Sequence, residues 1–320
     1  MYDIRIINDL EQCRDIWKST IPQEKVWDIW EFRACFQKHF QRPICFITAE
    51  NSRGPTEILP LSWIEEAQSY GYFPGETWQD KTWIEQNRIP ADSEILCDML
   101  DRCPEQYYLR YLRPSLGSVS QNQCVVDEVG YLFRPRDYNY DIENYFQQFS
   151  RKSSKNIKRE IASLHAGSRY RYDDMSDFEH LMQLNFNNFG NYSYFYDLRF
   201  RESFRTLMHY LNDKGWLRIT TIIIRGEIAA VDIGCVYRGD YTLLGGGTNR
   251  DYPGVAKLIN LHHMQRGCKE RFNLIDFLCG DFSWKRKFHL TERPLYVLSN
   301  CPLETDPSED LELKGVGYVE

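Results

Sequence analysis

Apolar and polar positions follow their clearest pattern between Trp216 and Phe288. Three runs rich in β-branched residues, WLRITTIIIRG, EIAAVDIGCVYRG and DYTLLGGGTNRDY, are separated by tight glycine-containing turns. Such runs predict an antiparallel meander of three strands. PGVAKLINLHHMQRGCKERF then changes to a helical period, and NLIDFLCG predicts a further buried strand. The order strand, strand, strand, helix, strand is therefore the main structural signal of the chain.

Both halves of the remaining sequence predict a mixture of strands and helices. In the first half, strands are predicted at 2–7, 43–50, 56–66 and 107–114, and helices at 8–20, 24–40 and 92–103. Residues 69–81 predict turns, and residues 115–140 predict an irregular connection. The second half opens with one long helix from Ile142 to Gly167. A strand at RYRYDD and helices from Ser176 and from Leu198 to Lys214 follow.

Composition places the chain among ordinary globular proteins. Its 320 residues are 42% hydrophobic and 27% charged, which is enough for two domains with separate cores. The net charge of −7 argues against a protein whose whole surface binds nucleic acid, and leaves room for a local basic groove. Aromatic residues at 15% predict large aromatic cores.

Cysteine and histidine usage gives no sign of a metal site. None of the ten cysteines is spaced as C-x-x-C, and His262 and His263 have no carboxylate at metal-ligand spacing. We therefore expect no metal. The N-terminal sequence MYDIRIINDLEQC does not match a signal peptide, and no apolar run is long enough for a membrane span. The expected location is the cytoplasm, with reduced thiols.

Candidate chemistry begins where the meander ends. Gly245, Gly246 and Gly247 predict either a packing bulge or the close approach of a backbone or a ligand. The Pro253-Gly254 pair then predicts a strand-to-helix turn, which directs free backbone N–H groups and a partial positive charge outwards. The small residues and Lys257 fit an anion site, and they also fit an ordinary turn with a solvated lysine.

Two further motifs carry concentrated positive charge. GDFSWKRKF, residues 280–288, places three basic residues between aromatic ones, as a phosphate or carboxylate site or a solvated turn would. SRKSSKNIK, residues 150–158, is the strongest basic run in the chain. It predicts either a solvated helix face or a patch for an acidic partner such as tRNA.

Taken together, these motifs resemble the GNAT acyltransferase superfamily, in particular its FemAB-type transferases and CelD-like acetyltransferases. The resemblance rests on four sequences in the order typical of that branch, namely SRKSSKNIKREI, GEIAAV, the turn at 248–257 and DFLCGDFSWKRKF. It covers about residues 140–300. It implies an α/β fold of tandem GNAT-like domains, each a mixed, mostly antiparallel sheet flanked by helices. A diverged first domain would occupy residues 1–135, and the acyltransferase domain residues 136–320.

The resemblance implies an enzyme that transfers an acyl group. The expected reaction moves the acyl group of acetyl-CoA or another acyl-CoA to an amine by direct attack in a ternary complex. The acceptor would be a small molecule, an amino sugar or a peptide, and the sequence predicts no oligomeric state. The segment from Arg250 to Ala256 is one residue longer than the family's [RQ]-x-x-G-x-[GA] pyrophosphate loop. Aminoacyl-tRNA, bound through the basic residues 150–159, is therefore an alternative donor, and a non-catalytic binding module is a third alternative.

The resemblance also assigns roles to individual residues. It implies that Lys285 neutralises charge, that Asp281 accepts the proton of the amine and that Tyr252 protonates the leaving group. The donor would be bound by one continuous region that contains Gly247, Thr248, Asn249, Arg250, Gly254, Val255, Ala256 and Lys257. The acceptor would lie in a groove between the domains, against Tyr192, Tyr194, Asp232 and Trp284, although the tyrosines fit a core position equally well. Asp232 is a second candidate base.

Overall fold

The computed structural model describes residues 2–52, 54–91, 93–114, 124–280 and 283–301. These residues form two compact units. Of the described residues, the first unit contains those up to 129, 198–210 and 294–301, and the second contains those within 130–197 and 211–293. The expected domain boundary between residues 135 and 136 stays a prediction.

The first unit is a sheet with helices. Strands β1 (Asp3–Ile7), β2 (Ile44–Asn51), β3 (Gly54–Ile64) and β4 (Ser69–Tyr72) form an antiparallel sheet in that order. Strand β5 (Tyr108–Leu112) pairs antiparallel with the last strand of the chain, β12 (Thr291–Ser299). The helices are α1 (Leu10–Thr20), α2 (Trp30–Phe40), α3 (Ser93–Leu100) and most of α7 (Leu198–Asp213).

Aromatic side chains fill the core of this unit, as the composition predicts. Trp30 stacks on Phe73 at 4.9 Å between ring centroids, and Trp17 packs edge-on against Trp30 at 6.1 Å. All three are at least 95% buried. Such packing adds to the hydrophobic stabilisation of the sheet–helix interface.

The second unit contains the strands and the helix that the sequence pattern predicts most clearly. Its strands are the last part, 130–133, of β6 (Cys124–Phe133), together with β7 (Ser168–Tyr172), β8 (Leu217–Ile224), β9 (Glu227–Tyr237), β10 (Asp240–Thr248) and β11 (Leu274–Asp276). They lie in the order β6–β11–β10–β9–β8–β7, and every neighbouring pair is antiparallel except the parallel pair β10–β11. The predicted meander, β8 to β10, is confirmed. So is the fold class of mixed, mostly antiparallel sheets flanked by helices.

Two elements of this unit differ from the sequence-based expectation. The single helix expected from Ile142 is two helices, α4 (Ile142–Phe146) and α5 (Arg151–His165). Ser150 separates them, because its side chain accepts a hydrogen bond from the N–H of Ser153 and caps α5. The supposedly irregular connection contains β6, whose Phe133 pairs with Ile275. That partner lies far along the sequence, so local pattern gave no sign of the strand.

The remaining helices of the unit are α6 (Asp177–Phe189), α8 (Val255–Glu270) and α9 (Ser283–Lys287). Short 3₁₀ helices occur at Val26–Asp28, Pro135–Tyr138, Gly190–Tyr192 and Tyr194–Tyr196. None of the helices in the described part of the chain has the length and apolarity needed to cross a lipid bilayer.

Strand β10 diverges from β11 at the end that leads into α8. The two strands pair only from Asp240 to Thr242, whereas β10 stays paired with β9 as far as Thr248. A register shift between Leu243 and Gly245 bulges β10 at this point. Among the described strands, no neighbour covers the second half of β10 on the β11 side. The second half of β10 therefore has a partner strand on one side only among the described strands, and Thr248 at its end lines a cavity.

Helix α6 explains one of the three consecutive glycines. A Cβ atom on Gly247 would lie 2.9 Å from Cβ of Leu184 and 3.1 Å from the carbonyl oxygen of Leu181, so only glycine allows α6 to approach this closely. The Asn185 side chain also donates a hydrogen bond of 3.3 Å to the Gly246 carbonyl. Packing against α6 therefore accounts for Gly247, and the bulge in β10 ends at Gly245.

Candidate active site at the start of helix α8

A cavity of about 490 Å³ lies where β10 ends and α8 begins. Its walls come from the end of β10, the following loop and the first turn of α8, with contributions from α5, α9 and the residue after α9. The lining residues are Glu160, Thr248, Asn249, Arg250, Tyr252, Pro253, Gly254, Val255, Ala256, Lys257, Trp284, Lys287 and Phe288. Seven of the eight residues predicted to bind the donor therefore meet in one cavity. The eighth, Gly247, is buried against α6.

The first turn of α8 directs unpaired backbone donors towards this cavity. Gly254 caps the helix in the left-handed conformation, at φ 87°, and no side chain caps it. The N–H of Val255 donates to the carbonyl of Tyr252, and the N–H of Leu258 donates to that of Gly254. The amides of Ala256 and Lys257 have no hydrogen-bond acceptor among the described residues. Two free N–H groups and the positive end of the helix dipole thus favour an anion.

The loop between β10 and α8 is held by hydrogen bonds of its own. The N–H of Asn249 donates to the Ala229 carbonyl at 2.8 Å, and the Asn249 side chain accepts from the N–H of Asp251 at 2.9 Å. Asn188 of α6 donates to the Thr248 carbonyl at 2.8 Å and accepts at its own carbonyl from the Arg250 guanidinium at 2.9 Å. Arg250 is exposed, so its remaining N–H donors can reach a ligand.

Lys257 lies beside the helix start in an ion pair. Its ammonium is 3.0 and 3.1 Å from the two carboxylate oxygens of Glu160 on α5. Sequence reasoning did not identify Glu160, because it lies in a run read as basic. Only the packing of α5 against α8 brings this carboxylate to the cavity.

Tyr252 has a geometry that suits a proton donor. Tyr252 is one of the residues that line the cavity, and its hydroxyl donates to the Glu227 carboxylate at 2.7 Å. The hydrogen bond to this carboxylate raises the pKa of Tyr252 above its ordinary value, since ionisation would place two negative charges together. The phenol is therefore protonated at neutral pH, which protonation of a leaving group requires.

Lys285 lies inside the protein beside the cavity's aromatic wall. It is only 3% exposed, and its ammonium donates to the carbonyls of Leu278 and Cys279 at 3.0 and 2.8 Å. The ammonium also lies 5.3 Å from the centre of the Tyr131 ring. Its predicted role in neutralising charge stays a prediction, and Asp281 lies outside the described residues.

The residues predicted to bind the acceptor do not come together at this cavity. Trp284 lines it, whereas Asp232 is fully buried and lies 2.7 Å from Nε2 of His263, in a contact that joins β9 to α8. Tyr194 is also buried, and Tyr192 is exposed, but neither lines the cavity. Their predicted roles remain predictions. In the described residues, no three His, Cys, Asp or Glu side chains group in a way that could hold a metal.

A pair of parallel strands in a mostly antiparallel sheet, with a helix start at a cavity, matches the fold that the sequence resemblance to GNAT domains implies. Comparison with known families agrees: residues 151–286 match the family described as "Acetyltransferase (GNAT) domain". No curated protein matches the chain in sequence.

Solved structures show that the shared fold extends over nearly the whole chain. FemX is 9% identical with a TM-score of 0.55, covering 92% of this chain and 96% of its own. L-PGS from Bacillus licheniformis is 10% identical with a TM-score of 0.55, covering 91% and 92% respectively. A conserved protein of unknown function from Bacteroides thetaiotaomicron is 11% identical with a TM-score of 0.55, covering 93% and 99%. The resemblance to the GNAT superfamily and the FemAB-like fold is confirmed.

Proposed function

We propose that the protein transfers an acyl group from an acyl-CoA, acetyl-CoA or a longer thioester, to the amine of a small molecule, an amino sugar or a peptide. The observation that carries this proposal is the composition of the cavity at the start of α8. Two free amides, Arg250 and Lys257 supply positive charge, whereas Val255, Trp284 and Phe288 supply apolar surface. A donor that combines phosphates with a less polar thioester arm matches both surfaces.

The proposed reaction forms a C–N bond as the C–S bond of the thioester breaks. The backbone of β10 beyond its bulge, near Gly246 to Thr248, is open on the β11 side and would polarise the thioester carbonyl through an N–H group. The attacking amine would lose a proton to a carboxylate or to water, and Tyr252, held protonated by Glu227, would give its proton to the departing thiolate. The cavity would orient the donor, so that much of the rate enhancement comes from positioning.

The test is isothermal titration of the protein with acetyl-CoA and a series of longer acyl-CoAs. We expect micromolar binding that the Lys257→Glu substitution abolishes, because this variant opposes the donor's phosphates with a second carboxylate beside Glu160. Lys269→Glu, in the last turn of the same helix, adds the same charge outside the cavity and should bind like the unchanged protein. A protein that binds no acyl-CoA at all would rule out this donor.

Aminoacyl-tRNA is the second candidate donor, favoured by the surface of α5. Arg151, Lys152, Lys155 and Arg159 are all exposed on this helix, and α5 also provides Glu160 to the cavity wall. A basic face beside a donor cavity suits a polyanionic carrier. Titration with charged tRNA should then show affinity that falls steeply with salt and that Lys152→Glu with Lys155→Glu weakens. Salt-independent or absent binding would exclude tRNA.

A further inference from the structure

Glu160 occupies the place of an anion at the start of α8. Its Oε1 atom is 2.6 Å from the position that a Cβ atom on Gly254 would take, so the carboxylate lies directly over the glycine that caps the helix. Both carboxylate oxygens also contact the Lys257 ammonium, at 3.0 and 3.1 Å. The carboxylate therefore lies next to two sources of positive charge, the helix start and the lysine.

The surroundings of Glu160 allow it to leave. Its side chain is 39% exposed and that of Lys257 is 43% exposed, so neither is locked in place by packing. No residue of α5 is fully buried. An exposed ion pair of this kind contributes little to stability, so a ligand with several anionic groups can readily replace it.

We infer that Glu160 is an internal competitor for the donor's anionic group, and that its displacement determines which donors bind. A ligand with one negative charge gains little binding free energy, because it only replaces the single charge of the Glu160 carboxylate. A diphosphate can contact Lys257, the amides of Ala256 and Lys257 and the exposed Arg250 together. Glu160 thus makes the cavity selective for polyanionic donors. The identity of the donor rests on the proposed function, whereas the competition itself does not.

A competitor attached to the same chain acts at a high effective concentration. For short tethers this concentration is in the mM range, so a free monoanion must exceed it before it occupies the site.

A purely structural role for Glu160 makes a different prediction. If the ion pair only joined α5 to α8, its loss would lower stability and leave anion affinity unchanged or reduced.

The experiment measures the dissociation constants of inorganic pyrophosphate and inorganic phosphate by isothermal titration. We expect Glu160→Gln to bind pyrophosphate about tenfold more tightly than the unchanged protein, since the competing charge is gone. The affinity for phosphate should rise by a larger factor than the affinity for pyrophosphate. The ratio of the two dissociation constants should therefore be smaller in Glu160→Gln than in the unchanged protein. Glu143→Gln is the matched control. Glu143 on α4 forms an ion pair with Lys158 on α5, and Glu143 does not line the cavity.

Each outcome decides the inference. The inference is overturned if Glu160→Gln binds pyrophosphate no more tightly than the unchanged protein, or if Glu143→Gln gains as much affinity. It is also overturned if neither the unchanged protein nor a variant binds either anion. Tighter pyrophosphate binding with no acyl-CoA binding supports the competition and refutes the proposed donor. If acyl-CoA binds and Glu160→Gln does not change its affinity, the competition is refuted and the proposed donor is supported. Thermal unfolding of each variant verifies that it is folded.

Discussion

Individual residues of one motif have different environments in this protein. In the sequence WKRK, the three basic side chains look equivalent. In the structure Lys285 is buried and bonded to two backbone carbonyls, whereas Arg286 and Lys287 are exposed. The motif is therefore a short helix with two exposed basic residues and one inward ammonium bonded to backbone carbonyls, and a phosphate or carboxylate site there stays a prediction.

Replacing Lys285 with Met should lower turnover at least about 100-fold, if the ammonium neutralises charge during transfer. The structure adds a cost in stability, because the carbonyls of Leu278 and Cys279 lose their shared donor. We expect the free energy of unfolding to fall by about 1–3 kcal/mol. Arg286→Met, on the same short helix, serves as the control. Full turnover in a folded Lys285→Met protein would remove Lys285 from the reaction.

The pH dependence of turnover tests Tyr252. The phenol acts only when protonated, and its raised pKa extends the active range to higher pH than an ordinary tyrosine, near 10, allows. Glu227→Gln removes the main cause of the rise and should shift the alkaline fall in kcat to lower pH. Asp251→Asn removes a weaker, more distant charge and should shift it less. Tyr252→Phe should abolish this fall and reduce kcat about 10²–10⁴-fold. If the alkaline fall in kcat is identical in all variants, the proton comes from another group.

The strand–loop–helix element from β10 to α8 forms most of the cavity from adjacent residues. This continuity is why seven of the residues predicted to bind the donor line one cavity: they follow one another along the chain. Their role in donor binding stays a prediction. Residues contributed by other elements were harder to find. Glu160 of α5 and Phe288 after α9 reach the cavity only through packing, and no local pattern distinguishes them from neighbouring residues.

Gly254→Ala tests this element. At φ 87° an alanine is strained by about 1–2 kcal/mol, and its Cβ would displace the Glu160 carboxylate. We expect lower stability together with at least tenfold weaker acyl-CoA binding, since the methyl group enters the anion position. Gly226→Ala is a matched control, because Gly226 has φ 85° and open space around its Cβ position. It should lose similar stability and keep its affinity. Equal affinity in both variants would show that the turn does not contact the donor.

At the scale of the whole molecule, net charge is a poor guide to local chemistry. The chain carries a charge of −7, yet basic side chains are concentrated on the exposed face of α5 and around the start of α8. Among the described residues that line the cavity, Glu160 is the one carboxylate beside Arg250, Lys257 and Lys287. A global charge excludes a protein that binds polyanions everywhere, but it does not describe a single site.

The sequence by itself determined the mixed fold class, the meander and the helix that follows it, because these depend on local periodicity and turn chemistry. It also located the loop that lines the cavity. The tertiary structure alone decided which strands pair across long separations, as with β6 and β11, and where single polar side chains lie. It placed Asp232 in the core against His263, Lys285 beneath two carbonyls and Glu160 at the helix start. Such contacts join residues far apart in sequence, and only the packed chain specifies them.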